Sequence, residues 1–152
     1  MEHILVGAAV SRLRLVTVEL VRSPLAATEV ASSPQGAAAI ARSIIGRRDR
    51  EHFVVMHLNA RHRVVSMEIA SVGTLSTSLV HPREVFKAAL LANASAIICA
   101  HNHPSGDASP SGEDRAVTTR LKKVGELIGV PMLDFLVVTD SGMWSARESS
   151  AL

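Results

Sequence analysis

One short stretch limits the folds open to this chain more than any other. Ala96-Ile97-Ile98-Cys99-Ala100 is wholly apolar and gives way without transition to a polar loop over 101–110. An unbroken apolar run of that length is what a strand covered on both faces looks like. Folds built on such strands place ligand and catalytic groups just past the strand's C-terminal end. The composition permits this. A chain of 152 residues is the size of one domain, and 47% hydrophobic residues with a mean hydropathy of +0.25 supply a core.

On either side, strand and helix signals mingle. The β-branched string 13–21 reads as a strand. Ser32-Ser33-Pro34 supplies a cap and a first-turn proline for a short Ala-rich helix over 36–45, stopped by Gly46. Strands over 53–58 and 63–72 flank the polar turn 59–62, a hairpin signal. Pro82 opens a helix over 83–93 with Val85, Phe86, Ala89, Leu90 and Ala92 as its apolar face. Another helix runs from Ser111 to 127 or 128 and ends near Gly129 and Pro131; strands over 133–138 and 143–146 then flank Asp140-Ser141-Gly142. The expected class is α/β (α+β): a single mixed sheet flanked by helices, in one domain over 1–152.

Several function classes drop out. Three Phe, one Trp and no Tyr are too few rings for base or sugar stacking as the main activity. Sixteen basic residues against fourteen acidic ones give only +2 despite a pI near 9.2, weak support for a polyanion partner. The lone Cys99 excludes a disulfide framework and a CxxC zinc site, and fits a reducing compartment, the cytoplasm. No apolar stretch reaches the roughly 18 residues of a membrane span, and the N-terminus lacks the basic start of a secretion signal.

The chemistry is concentrated in 101–114: His-Asn-His-Pro-Ser-Gly-Asp-Ala-Ser-Pro-Ser-Gly-Glu-Asp. Residues two apart on an extended chain point the same way, so His101 and His103 can aim ring nitrogens at one point. Two neutral imidazoles suit a borderline cation such as zinc. Pro104, Gly106 and Pro110 turn the chain into the next helix, where Ser111 and Asp114 form a capping-box-like pair. Asp114 then lies in the first helical turn, within reach of the same point as a third ligand. His, His and Asp with one open position is the composition of a catalytic zinc site, whose bound water has its pKa lowered towards about 7. Each piece alone has a plainer explanation: hydrogen-bonded histidines, a helix cap, a loop. Their conjunction between an apolar strand and a helix start is harder to explain that way.

His-x-His, seven residues, Ser, two residues, Asp is similar to the zinc signature of the JAMM (JAB/MPN+) metallohydrolases, and the longer string resembles their RadC branch. Gly73-Thr74, the run 81–86, Asn93-Ala94, Thr118, Leu133-Asp134, Ser145 and Glu148 agree, so the resemblance covers about 51–148. It implies a JAB/MPN-like, cytidine-deaminase-like fold and zinc held by His101, His103 and Asp114. It implies Glu51 as general base, matching a glutamate that family members carry at the start of an earlier strand, and Ser111 as a stabiliser of the oxyanion. The residues alone do not select Glu51 over Glu68, Glu84 or Glu113. The implied activity is hydrolysis of peptide or isopeptide bonds in a peptide or protein substrate. Two departures stand out: Phe135 occupies a position where RadC-like chains usually carry His, and the tail 144–152 drifts from the pattern. Longer members also carry an N-terminal helix-hairpin-helix segment, for which 152 residues are expected to leave no space.

Other titratable residues read more plainly. His57 is a mid-strand core or surface histidine, His3, His52 and His62 are expected at the surface, and His81 helps start a helix. Cys99 is a small core residue and not a fourth ligand. Two competing functions remain: a nucleic-acid-associated accessory protein in repair or recombination, supported mainly by the RadC resemblance and opposed by the near-neutral charge and scarce rings, and a catalytically idle MPN scaffold, disfavoured because all the ligands are present. A zinc base deaminase needs P-C-x-x-C and fails on the single cysteine. An exposed hairpin edge offers a surface on which two copies could pair.

Overall fold

The structure is a computed structural model that describes residue 31 and residues 33–73 and 80–152. Among these, three helices and a five-stranded mixed sheet follow one another: α1 (Pro34–Ile45), β1 (His52–Leu58), β2 (Val64–Val72), α2 (Pro82–Leu91), β3 (Ala96–Asn102), α3 (Gly112–Ile128), β4 (Met132–Val138) and β5 (Met143–Ser145). The strand order is β2-β1-β3-β4-β5. Only β3 and β4 run parallel; the other neighbours are antiparallel. This is the mixed sheet with helices that a JAB/MPN α+β fold requires. The strand expected over 13–21, and His3, lie outside the described residues.

Strand alternation sorts the apolar residues into two cores. On one face Phe53, Val55, Ile97, Cys99, Phe135 and Val137 pack under α2 and α3. On the other, Val54, Met56, Leu58, Ile98, Ala100, Leu136 and Val138 meet Ala37, Ala38, Ala41 and Ile45 of α1. The central β3 is buried along its whole length, as its apolar run foretold.

Local chemistry sets the ends of the elements. Ser33 caps α1, its Oγ accepting the Gly36 amide at 3.1 Å, with Pro34 in the first turn. His81 caps α2 by accepting the Arg83 amide on Nδ1. Asn59 Oδ1 accepts the amides of Arg61 and Arg63 and so shapes the hairpin turn. Gly129 ends α3 at φ +76°, which glycine adopts without a Cβ penalty.

Two expectations need correction. Leu90 does not join the buried face of α2 but is 52% exposed. At about 100° per residue it lies about 90° from the centre of the arc formed by Val85, Phe86 and Ala89. His52 is buried and not at the surface, because it shares the inward parity of Val54 and Met56 at the start of β1.

Candidate metal centre

The end of β3 and the start of α3 build the site. His101 is the sixth residue of β3 and points, like Ile97 and Cys99, to the α3 side of the sheet. His103 lies just past the strand, but its amide still donates to the Val138 carbonyl at 3.0 Å, so it keeps the sheet's direction. The two imidazoles therefore stand side by side, ring centres 4.7 Å apart and edge to face. Pro104 and Gly106 turn the chain away, and the loop returns at Ser111.

The capping box of α3 then brings in the carboxylate. Ser111 Oγ accepts the Asp114 amide at 3.1 Å, and Asp114 Oδ2 accepts the Ser111 amide at 2.6 Å. This leaves Asp114 Oδ1 3.1 Å from His101 Nε2 and Oδ2 3.6 Å from His103 Nε2. The ligand atoms offered by His101, His103 and Asp114 all fall within 4.8 Å of one another. The geometry that caps α3 also sets the Asp114 carboxylate beside both imidazoles.

The donor set fits a metal. His103 Nδ1 lies 2.7 Å from the Asp107 carbonyl, which can only accept, so Nδ1 carries the proton and Nε2 presents a lone pair to the cluster. His101 Nε2 is fully buried, and although near Asp114 it is not aligned for a hydrogen bond. A buried imidazole nitrogen, a second imidazole lone pair and a 1%-exposed carboxylate converge without hydrogen bonds to one another, an arrangement that a cation at their centre would satisfy. Burial pushes the Asp114 carboxyl up, but the His101 imidazole and then the Ser111 donors outweigh it and hold it at about 2.

Glu51 precedes β1 and shares the parity of Phe53, which pairs with His101 in the ladder, so it stands on the site's side of the sheet. It lines a cleft of about 550 Å³ together with His103, Ser105, Ser111, Gly112, Glu113 and Asp114. Of the four glutamates that the sequence left in competition, Glu51 and Glu113 reach this cleft. Glu84 instead pairs with Lys87 and Arg83 on α2, and Glu68 sits on β2 near the same charges. Cys99 is buried in the core, its thiol pushed far up by burial, and is not in the ligand cluster. Ser105 was not singled out from the sequence; its place inside the 101–114 string was the available signal.

Residues 31–151 match the RadC-like JAB domain. The chain belongs to that family. Relatives include a UPF0758 protein of Rubrobacter xylanophilus, 50% identical over 113 residues, which are 74% of this chain and 49% of the relative. One from Symbiobacterium thermophilum is 54% identical over 102 residues, 67% of this chain and 44% of the relative. One from Chlorobium phaeovibrioides is 47% identical over 103 residues, 68% and 46% of the two chains. The chain thus spans just under half the length of these relatives. No helix among the described residues is long and apolar enough to cross a membrane.

Proposed function

We propose that the chain is a zinc-dependent hydrolase of amide bonds, acting on a peptide or isopeptide linkage in a protein or peptide substrate. The observation that carries this reading is the convergence of His101, His103 and Asp114, the last two lining a cleft that Glu51 and Ser111 also line. Two imidazoles and one carboxylate leave a coordination position open, as catalytic zinc sites do. When bound, zinc supplies a Lewis acid that lowers the pKa of a coordinated water towards about 7.

The chain's own residues do the rest. Glu51 accepts a proton from the attacking water as its oxygen adds to the scissile carbonyl carbon. Ser111 Oγ accepts the Asp114 amide through a lone pair, which leaves its hydroxyl proton to donate to the developing oxyanion. As the C–N bond breaks, Glu51 returns its proton to the leaving amine. The RadC-like JAB family membership supports the same assignment.

The test is hydrolysis of fluorogenic peptide and isopeptide substrates by the zinc-loaded protein. Glu51→Gln is expected to keep zinc and lose at least about 100-fold in rate, the usual share of a general base. Unchanged turnover in that variant would remove Glu51 from the mechanism.

A further inference from the structure

Asn102 sits between the two histidines, yet its side chain is on the other side of the sheet. Alternation sends His101 to the α3 face and Asn102, with Ala100, to the α1 face, where it is 1% exposed. Both ends of its amide are used there. Oδ1 accepts the His52 amide at 2.7 Å, and Nδ2 donates to the Arg50 carbonyl at 3.1 Å. These are the backbone groups on either side of Glu51.

The β1–β3 ladder ends at the Phe53–His101 pair, so the Asn102 side chain makes the next rung itself. The surrounding contacts complete a clamp. The Glu51 carbonyl accepts the Gly73 amide at 2.8 Å, and the Arg50 carbonyl also receives His52 Nδ1 at 2.9 Å. An asparagine is what this rung needs: aspartate offers no donor for Arg50, and a hydroxyl cannot span two backbone groups so placed.

We infer that Asn102 is a positioning residue for Glu51, clamping the peptide groups on both sides of it and so fixing the carboxylate's origin relative to His101, His103 and Asp114. The inference rests on the reading of Glu51 as the base. It ties that residue to the segment that supplies the histidines: a shift at the end of β3 moves ligands and base together. Asn102 touches neither cleft nor ligand atoms and acts only through the backbone of 50–52.

The experiment uses the protein loaded with cobalt(II), whose visible absorption follows ionisation around the metal as pH is changed. Zinc affinity is measured in parallel by chelator competition. Glu51→Gln is expected to move the cobalt midpoint by roughly half a pH unit or more, because the carboxylate facing the site is gone. Asn102→Ala is expected to move it in the same direction, with zinc affinity within about threefold of wild type, well short of the roughly 10–100-fold lost with a ligand's own partner. In the Glu51→Gln background, Asn102→Ala is expected to add nothing.

A further shift in the double variant, or none from Asn102→Ala when Glu51→Gln gives one, overturns the inference and leaves Glu51 in place. No shift from Glu51→Gln overturns the reading of Glu51 itself, and the inference with it. Asn102→Ser, small and uncharged, repeats the test should the alanine variant fail to fold; its hydroxyl cannot span the His52 amide and the Arg50 carbonyl together, so the same expectations apply.

Discussion

The ring of Phe135 lies 5.6 Å from the ring of His101, centre to centre, and Phe135 also packs on Phe53 at 5.9 Å. The two candidate histidine ligands are therefore supported differently. His103 donates its Nδ1 proton to the Asp107 carbonyl, whereas His101 Nδ1 is buried with no hydrogen-bond partner among the described residues. A ligand imidazole whose far nitrogen is bonded is oriented and made more basic; one backed by a phenyl ring is oriented by packing alone.

Phe135→His, which restores the residue expected at this position from the RadC resemblance, is predicted to tighten zinc binding by about tenfold by offering His101 a polar neighbour. Competition with a chromogenic chelator measures it. Unaltered affinity would mean that the phenyl backing costs the site nothing.

Asp134 is buried and accepts three hydrogen bonds: from the Phe135 amide at 2.8 Å, Ser145 Oγ at 2.7 Å and the Arg147 amide at 3.0 Å. Burial pushes its carboxyl up, and these donors oppose the shift. Asp134→Ala orphans all three and is predicted to cost about 3 kcal/mol or more in urea unfolding. Asp134→Asn keeps the Oδ1 acceptor used by both amides, and Ser145 can turn its hydroxyl to accept. Its cost is predicted at under about 1 kcal/mol. Similar losses in the two variants would contradict this account of the β4–β5 end.

His57 gives the acid limb of stability. Its Nδ1 lies 2.7 Å from Ser66 Oγ, its Nε2 is buried, and burial lowers its pKa to about 4. The unfolded chain binds this proton below the ordinary value of 6.5, and the folded chain refuses it until about 4. Stability from this group is thus full above 6.5 and is lost as pH falls through the window, roughly 3 kcal/mol in all. His57→Leu is predicted to flatten the difference in unfolding free energy between pH 7.5 and pH 5, measured with chelator present. Parallel pH slopes for the two proteins would sink the assignment.

Ser111 caps α3, and the proposed function gives it a second duty that substitution separates from the first. Ser111→Ala removes the α3 cap and is predicted to cost about 1 kcal/mol as well as turnover. Ser111→Asp keeps a capping oxygen but has no hydroxyl donor, so stability is predicted to hold while turnover falls. Ser111→Thr retains both. Full activity in the aspartate variant would reduce Ser111 to a cap.

The sequence carried what depends on pattern over a few residues. The apolar run 96–100 marked the central strand, the hairpin and both proline-started helices lie where their signals put them, and His101, His103 and Asp114 meet as their spacing implied. What stayed hidden depends on parity and long-range contact. The burial of His52 follows from the register of β1, and Leu90 falls off its expected face by a fraction of a turn. Nothing local announces that Asn102 reaches across the sheet to Arg50 and His52. Nor does charge foretell that Arg42 spends its guanidinium on the Thr139 and Gly142 carbonyls, 2.8 Å each, pinning the β4–β5 turn to α1.

The proposed hydrolysis requires one zinc ion held by His101, His103 and Asp114. Equilibrium dialysis of chelator-stripped protein against zinc, followed by elemental analysis, tests it most directly. The wild-type chain is predicted to hold roughly one zinc per chain, and His101→Ala, His103→Ala and Asp114→Ala each to lose at least about tenfold in affinity. A folded wild-type protein that takes up no zinc, or ligand variants that hold it as tightly as wild type, would contradict the account.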